Sequence, residues 1–289
     1  MEPVARARVG IVGYGALGKY LVHALTTDPL LTPLYAVAWV WNRSQEALAG
    51  CPVPTLADLA AFSSAGPVDL IIEVCHPAII AAHGAAFLAF ADLFLGSPTA
   101  LADARLEAAL RGAAALHRRA LCVPAGALWG AGDLAKMSAA GTLAKLTVTM
   151  KKHPASLQLA PGSAPAAALA AALASGAPGE TVLYDGPVRA LALAAPNNVN
   201  TMAAAALAGL GFDGTRGVLV SDPGLASHEV IIEAEGARGA AGGDAFACRT
   251  VRHNPAAPGA VTGAATFASF AASLRACAHL RRQGGVVLC

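Results

Sequence analysis

Residues 8–18 read Arg-Val-Gly-Ile-Val-Gly-Tyr-Gly-Ala-Leu-Gly, a short β-branched apolar run that ends in glycines spaced G-x-G-x-x-G. The run Arg8–Val12 predicts a strand, and Ala16–Thr27 behind the glycines predicts a helix. In that context each glycine has a separate task. Gly13 permits the tight turn, Gly15 lets a diphosphate approach the backbone, and Gly18 lets the helix pack closely on the strand. Ala16 and Leu17 open the helix, whose N–H groups and positive dipole end suit the phosphates of a dinucleotide. The competing interpretation is a structural glycine turn that binds nothing.

Outward from this point the first third alternates strand and helix. Tyr35–Trp41, Leu70–Val74, Leu93–Leu95 and Leu121–Val123 are apolar strand candidates, with a helical stretch over Asp103–Arg118. Apolar strands with helical crossovers predict a doubly wound parallel sheet covered on both faces, a Rossmann-type α/β domain. Beyond about residue 125 the pattern changes to two-sided strands: Leu143–Met150, Thr181–Tyr184, Thr215–Val220, His228–Glu235 and Ala245–Val251, with a helix near Thr201–Leu210. These predict a second α+β domain with a mixed, largely antiparallel sheet. Residues 155–179, rich in Ala, Pro, Gly and Ser, read as a low-complexity insertion holding one alanine-rich helix between flexible ends. Thr262–Leu280 is a final helix with Phe267, Phe270 and Leu274 on one face. The expected boundaries are a dinucleotide-binding domain over 1–125 and a substrate domain over 126–259.

Composition narrows the function classes. The 289 residues are 56% hydrophobic and 13% charged, and the mean hydropathy of +0.55 raises the question of a membrane protein. The uncharged run Ala190–Phe212 is broken by Pro196, Asn197, Asn198 and Asn200, and His153–Gly179 by four prolines. Neither supplies the roughly 20 continuous apolar residues of a spanning helix. Much of the apolar count is alanine, taken here as a sign of helix rather than of core. Twenty basic against 18 acidic residues give +2, with no basic cluster beyond pairs such as Lys151–Lys152. No nucleic-acid or membrane-surface partner is indicated. The six cysteines show no CxxC or Cys/His spacing, so no metal site is expected. Met1–Ala7 has no apolar leader core, and the thiols suit a reducing compartment, so the cytosol is the expected location.

Several positions carry candidate chemistry. After the second strand the sequence reads Asn42-Arg43-Ser44. Asn42 stands where a carboxylate would favour NAD, and Arg43 and Ser44 offer donors to a 2′-phosphate, so NADP is expected at least as well as NAD. A solvent-facing Arg43 is the plain alternative. His228 opens its strand on the same face as Val230 and Ile232, so its imidazole points inward beside the loop Ser221–Ser227. It is either an acid/base group lining a cleft or a hydrogen-bonded core histidine. In Pro196-Asn197-Asn198-Val199-Asn200, Asn198 or Asn200 either caps the next helix or meets a polar group of cofactor or substrate. The small-residue loops 96–100 and 124–130 follow strands four and five, where a nicotinamide ring would lie. His76 reads as a turn residue near the cofactor.

Taken together, these motifs resemble the L-aspartate dehydrogenase family, most of all its animal members. The resemblance rests on G-Y-G-A-L-G at 13–18, G-A-L-W-G at 126–130 and P-N-N-V-N at 196–200. It is extended by G-F-D-G-T-R at 211–216, S-D-P at 221–223, H-E-V at 228–230 and H-N-P at 253–255. The likeness implies oxidation of L-aspartate by NAD or NADP to iminoaspartate, which yields oxaloacetate and ammonia or feeds NAD synthesis in microbes. It implies cofactor contacts at Ala127 and Asn200, a catalytic histidine at His228, a homodimer, and a C-terminal helix (260–289) that completes the first domain. Lys151, Lys152 and Arg252 are then candidates for holding the substrate carboxylates, or simply exposed cations. Two departures stand out: the loop Pro223–His228 is shorter than in microbial members, and 155–179 lies outside the family core. Another small amino- or hydroxy-acid dehydrogenase, or a catalytically silent NADP-binding regulator, are the alternatives.

Overall fold

The first strand sits at the centre of the architecture because nothing in it tolerates water: Val9, Ile11 and Val12 of β1 (Ala7–Val12) are fully buried. The computed structural model describes residues 6–176, 178–237 and 245–289, so the N-terminal expectation for residues 1–5 lies outside it. From β1 the chain runs through α1 (Ala16–Thr27), β2 (Tyr35–Trp41), β3 (Leu70–Glu73), α2 (Pro77–Phe90), β4 (Asp92–Leu95), α3 (Ala104–His117) and β5 (Ala120–Val123). With a terminal strand, β11 (Gly285–Leu288), these build a six-stranded parallel sheet in the order β11-β5-β4-β3-β1-β2. The order reverses at β1, with β2 on one side and β3 on the other. Ligands of such sheets bind beyond the strand ends at that switch.

The second sheet is built from β6 (Leu143–Lys152), β7 (Thr181–Pro187), β8 (Thr215–Ser221), β9 (Ser227–Gly236) and β10 (Ala247–Pro255), in the order β10-β9-β6-β8-β7. Only β6 and β8 run parallel; the other neighbours are antiparallel. The expected α/β class, with a parallel sheet and a mixed one, is therefore the observed one. Alternation divides the second sheet sharply. Leu146, Val148, Met150, Val230 and Ile232 are buried on one face, and the other carries ion pairs such as Lys145–Glu235. Helices α4 (Ala131–Ala139), α6 (Val188–Ala194) and α7 (Asn200–Ala208) pack against this sheet or one another, with the one-turn α8 (Gly211–Gly214) leading into β8.

Four expectations need correction. The tail is not helical to its end: α9 (Ala264–Leu280) stops, Gly284 and Gly285 take positive φ, and the β-branched run behind them pairs with β5 as β11. Helix α2 escapes sequence periodicity because it is apolar nearly all round; Pro77 starts it and His76 Nδ1 caps it by accepting Ala78 N–H at 3.1 Å. Alanine is not only a helix former, since Ala203–Ala206 of α7 are essentially fully buried and form core. Finally, the segment ahead of α5 (Ala164–Ser175) is not a loose insertion end. Ser156 is buried, and Leu157 and Leu159 pack on the main core.

The last helix returns to the first sheet. The Phe267 and Tyr20 rings lie 5.5 Å apart, and the Tyr35 hydroxyl donates to the Leu274 carbonyl at 2.8 Å. Among the described residues no helix is long and apolar enough to cross a membrane, no cluster of metal-ligating side chains occurs, and all six cysteines are free thiols.

Candidate active site

The glycine loop adopts the geometry its spacing predicts. Gly13 has φ +114°, and a Cβ there would stand 2.7 Å from the Val74 carbonyl oxygen. A Cβ on Gly18 would strike the Gly13 carbonyl, whereas one on Gly15 would meet nothing within 4 Å. Two glycines therefore serve packing and one leaves open space above the start of α1. Ala16 is exposed beside it, and Leu17 reaches the cavity described next.

That cavity, about 110 Å³, opens where the carboxyl ends of the parallel strands face the second sheet. It gathers five of the residues singled out from sequence: Leu17, Ala127, Asn198, Asn200 and His228. The first sheet supplies the loops at Gly96–Pro98 and Pro124–Ala127, and α9 supplies Thr266 and Phe270. From the second sheet come Met150 and Lys152 of β6, His228 and Val230 of β9, and Asn254 of β10. Asn254 pairs with His228, and Lys151 with Glu229, so Lys152 arrives on the other flank of the histidine.

His228 is 5% exposed, and its Nε2 has no hydrogen-bond partner among the described residues. Burial first, and the nearby Lys152 charge second, push its pKa from 6.5 down to about 4, against a backbone hydrogen bond with Ala260. The ring is neutral at pH 7, and Nε2 remains unengaged at the cavity. Lys152 is 3% exposed, and burial pushes it down to about 8. The other two candidate cations are not brought in. Lys151 faces the opposite side and pairs with Glu180 at 2.5 Å, and the Arg252 guanidinium donates to the Gly126 carbonyl at 3.3 Å from an adjoining groove.

The asparagines divide by what their amides are already doing. Asn198 Oδ1 accepts Gln158 N–H at 2.6 Å and its Nδ2 donates to the Ser156 carbonyl at 2.8 Å. Asn198 thus builds the cavity wall and has no amide left for capping. Neither asparagine caps α7, whose N-cap is Val199 without a side-chain bond. Asn200 is the first helical residue; its Oδ1 lies 3.1 Å from the Thr99 hydroxyl, a hydroxyl that also meets the Pro196 carbonyl at 2.8 Å. This contact fixes the Asn200 amide across the two sheets. Asn42 is similarly committed: Oδ1 accepts Tyr14 N–H at 2.9 Å, and Nδ2 donates to the Ser44 carbonyl at 3.0 Å. It shapes the loop, and Arg43 stands exposed beside it on a separate groove shared with Ser44, Cys75 and His76.

Glu73 went unnoticed in the sequence although it organises this region. It ends β3 and is wholly buried, accepting N–H groups from Cys75, His76 and Ser97 at 2.7–3.0 Å and the Ser97 hydroxyl at 3.0 Å. It braces the loops after β3 and β4. Desolvation raises its pKa to about 7 in spite of those donors. A lone acid inside Leu70-Ile71-Ile72-Glu73-Val74 was the available signal. Asn254 was likewise missed: its amide accepts Ala265 N–H and donates to the Thr266 hydroxyl, both at 3.0 Å, stapling β10 to α9.

Comparison with known proteins agrees with this arrangement. Residues 133–273 match the family model for the C-terminal region of aspartate dehydrogenase, and residues 13–124 that for the NAD binding domain of homoserine dehydrogenase. The chain is 48% identical over 282 residues, 96% of each chain, to an aspartate dehydrogenase domain-containing protein of Xenopus tropicalis. It is 33% identical over 232 residues to an L-aspartate dehydrogenase of Methanosarcina acetivorans, covering 79% of this chain and 84% of that one. Its fold is similar to the crystal structure of aspartate dehydrogenase from Thermotoga maritima, with TM-score 0.66 at 18% identity over 94% of this chain and 97% of that one.

Proposed function

The chain belongs to the aspartate dehydrogenase family, and from that premise we propose that it oxidises L-aspartate to iminoaspartate, which hydrolyses to oxaloacetate and ammonia. The observation that carries this reading is the unengaged Nε2 of His228, buried at a cavity shared with Lys152. A bound nicotinamide dinucleotide, NAD or NADP, supplies the hydride acceptor. Its diphosphate would lie over Gly13, Gly15, Ala16, Leu17 and Gly18, at the one position where an added Cβ meets open space. Ala127 and Asn200 are the contacts assigned to the nicotinamide end, with Asn198 holding the wall behind them. Arg43, which has no acidic partner among the described residues, is assigned to a 2′-phosphate, so NADP is taken at least as well as NAD.

His228 supplies the proton chemistry. An ammonium cannot give up hydride from its carbon while its nitrogen lone pair is bonded to a proton. A neutral imidazole beside it removes that obstacle. The same group then returns a proton as water adds to the imine and ammonia departs. Residues 1–125 with 260–289 form the dinucleotide unit in this scheme, and 126–259 the substrate unit. The enzyme is proposed to act as a cytosolic homodimer, in keeping with its family likeness and its free thiols.

The test is formation of reduced dinucleotide from a panel of L- and D-amino acids with either NAD or NADP. L-Aspartate should be oxidised in preference to the others. Tight dinucleotide binding without turnover of L-aspartate would overturn the proposal and favour a silent regulator.

A further inference from the structure

The cavity contains a buried cation with no anion. Strand alternation sends Lys151 and Lys152 to opposite faces of β6. Lys151 is neutralised on its face by Glu180 at 2.5 Å and Glu229 at 3.8 Å. Lys152 points into the cavity, and its one described hydrogen bond is a long one, 3.3 Å to the Val261 carbonyl. An ammonium carries three donors, so two remain unsatisfied. None of the residues lining the cavity is acidic, and the buried carboxylate of Glu73 is occupied by its own loops. Burying an ammonium without a counter-charge is costly, and a fold keeps that cost where a ligand brings the missing charge. The unengaged Nε2 of His228, on the next strand, points to the same ligand.

We infer that Lys152 is the specificity-determining cation of this site, and that its ammonium takes a carboxylate of the substrate. The inference rests on the aspartate-oxidation reading and deepens it: it says what makes the cavity accept an anionic amino acid. Lys152 also places that anion next to His228, where negative charge favours the protonated imidazole and so strengthens the base that removes the ammonium proton. A dicarboxylate without an amine should occupy the same place.

The test compares the wild type with Lys152→Met in two measurements. The first is steady-state kinetics with L-aspartate and the preferred dinucleotide. Removing one member of a buried charge pair weakens binding by about 30-fold to 1,000-fold, so KM for aspartate should rise by about that factor while the dinucleotide dissociation constant stays within threefold. The second is calorimetric binding of succinate to the dinucleotide-loaded protein, which needs no turnover. The wild type should bind succinate, and Lys152→Met should not. Unchanged aspartate KM and succinate affinity in the variant would overturn the role of Lys152, as would absence of succinate binding by the wild type. A parallel loss of dinucleotide affinity would also overturn it, since that marks a purely structural lysine. A wild type that binds succinate through Lys152 but never oxidises aspartate would instead overturn the aspartate-oxidation reading.

Discussion

Lys152→Met should make the unliganded protein more stable while damaging its site. Burial moves the Lys152 pKa from 10.5 to about 8. At about 1.4 kcal/mol per unit, keeping the ammonium charged in the folded state costs about 3 kcal/mol at pH 7. The sign follows from the depressed folded pKa. The cost is fully present below pH 8, falls as the pH rises and the folded lysine deprotonates first, and vanishes above about 10.5. Methionine retains most of the aliphatic volume and forfeits only the long bond to the Val261 carbonyl. The variant should therefore gain about 2–3 kcal/mol at pH 7, about 5 °C in Tm for a chain of this size. The gain should shrink by roughly half at pH 9.5. Glu73 does not confuse the measurement. Its raised pKa of about 7 costs stability above pH 7 and is relieved as the pH falls toward 4.5, a separate window of opposite slope. Thermal melts of both proteins at pH 7 and 9.5, without ligand, read the effect. A variant less stable at pH 7, or a gain equal at the two pH values, would refute the electrostatic argument.

Three further perturbations follow from the same geometry. Replacing His228 by Ala should lower kcat with aspartate by about 100-fold or more while leaving dinucleotide affinity intact, as read by steady-state kinetics and fluorescence titration. Arg43→Ala should weaken NADP by roughly 10-fold and NAD hardly at all; equal losses for the two would remove Arg43 from the 2′-phosphate site. Asn198→Ala removes two buried hydrogen bonds to the 156–158 backbone. It should cost about 2–3 kcal/mol in denaturation and speed hydrogen exchange at the Gln158 amide, whereas a stability unchanged within 0.5 kcal/mol (about the error of such measurements) would contradict the clamp.

What the sequence disclosed, and what it withheld, has a physical pattern. The glycine turn and the inward His228 were legible because each depends on local periodicity: a strand feeding a helix, or alternation along one strand. Helix α2 was not, because an element apolar on nearly every side has no period to detect. Strand β11 was overlooked although Gly284-Gly285 announced a break before a β-branched run. The roles of polar side chains depended on partners distant in sequence. Nothing local distinguishes Asn198, spent on residues 156 and 158, from Asn200, set against Thr99 across the two sheets. Likewise, alternation alone says that Lys151 and Lys152 diverge, but only the packing of the second sheet against the first decides which of them is buried at the cavity.

The proposal of aspartate oxidation is tested most directly by following the Cα hydrogen. L-Aspartate carrying deuterium at Cα should be oxidised with formation of dinucleotide one mass unit heavier at the nicotinamide ring, together with stoichiometric ammonia. His228→Ala should lose this label transfer in proportion to its turnover. Reduced dinucleotide without deuterium, or no reduction by a protein that binds both ligands, would contradict it.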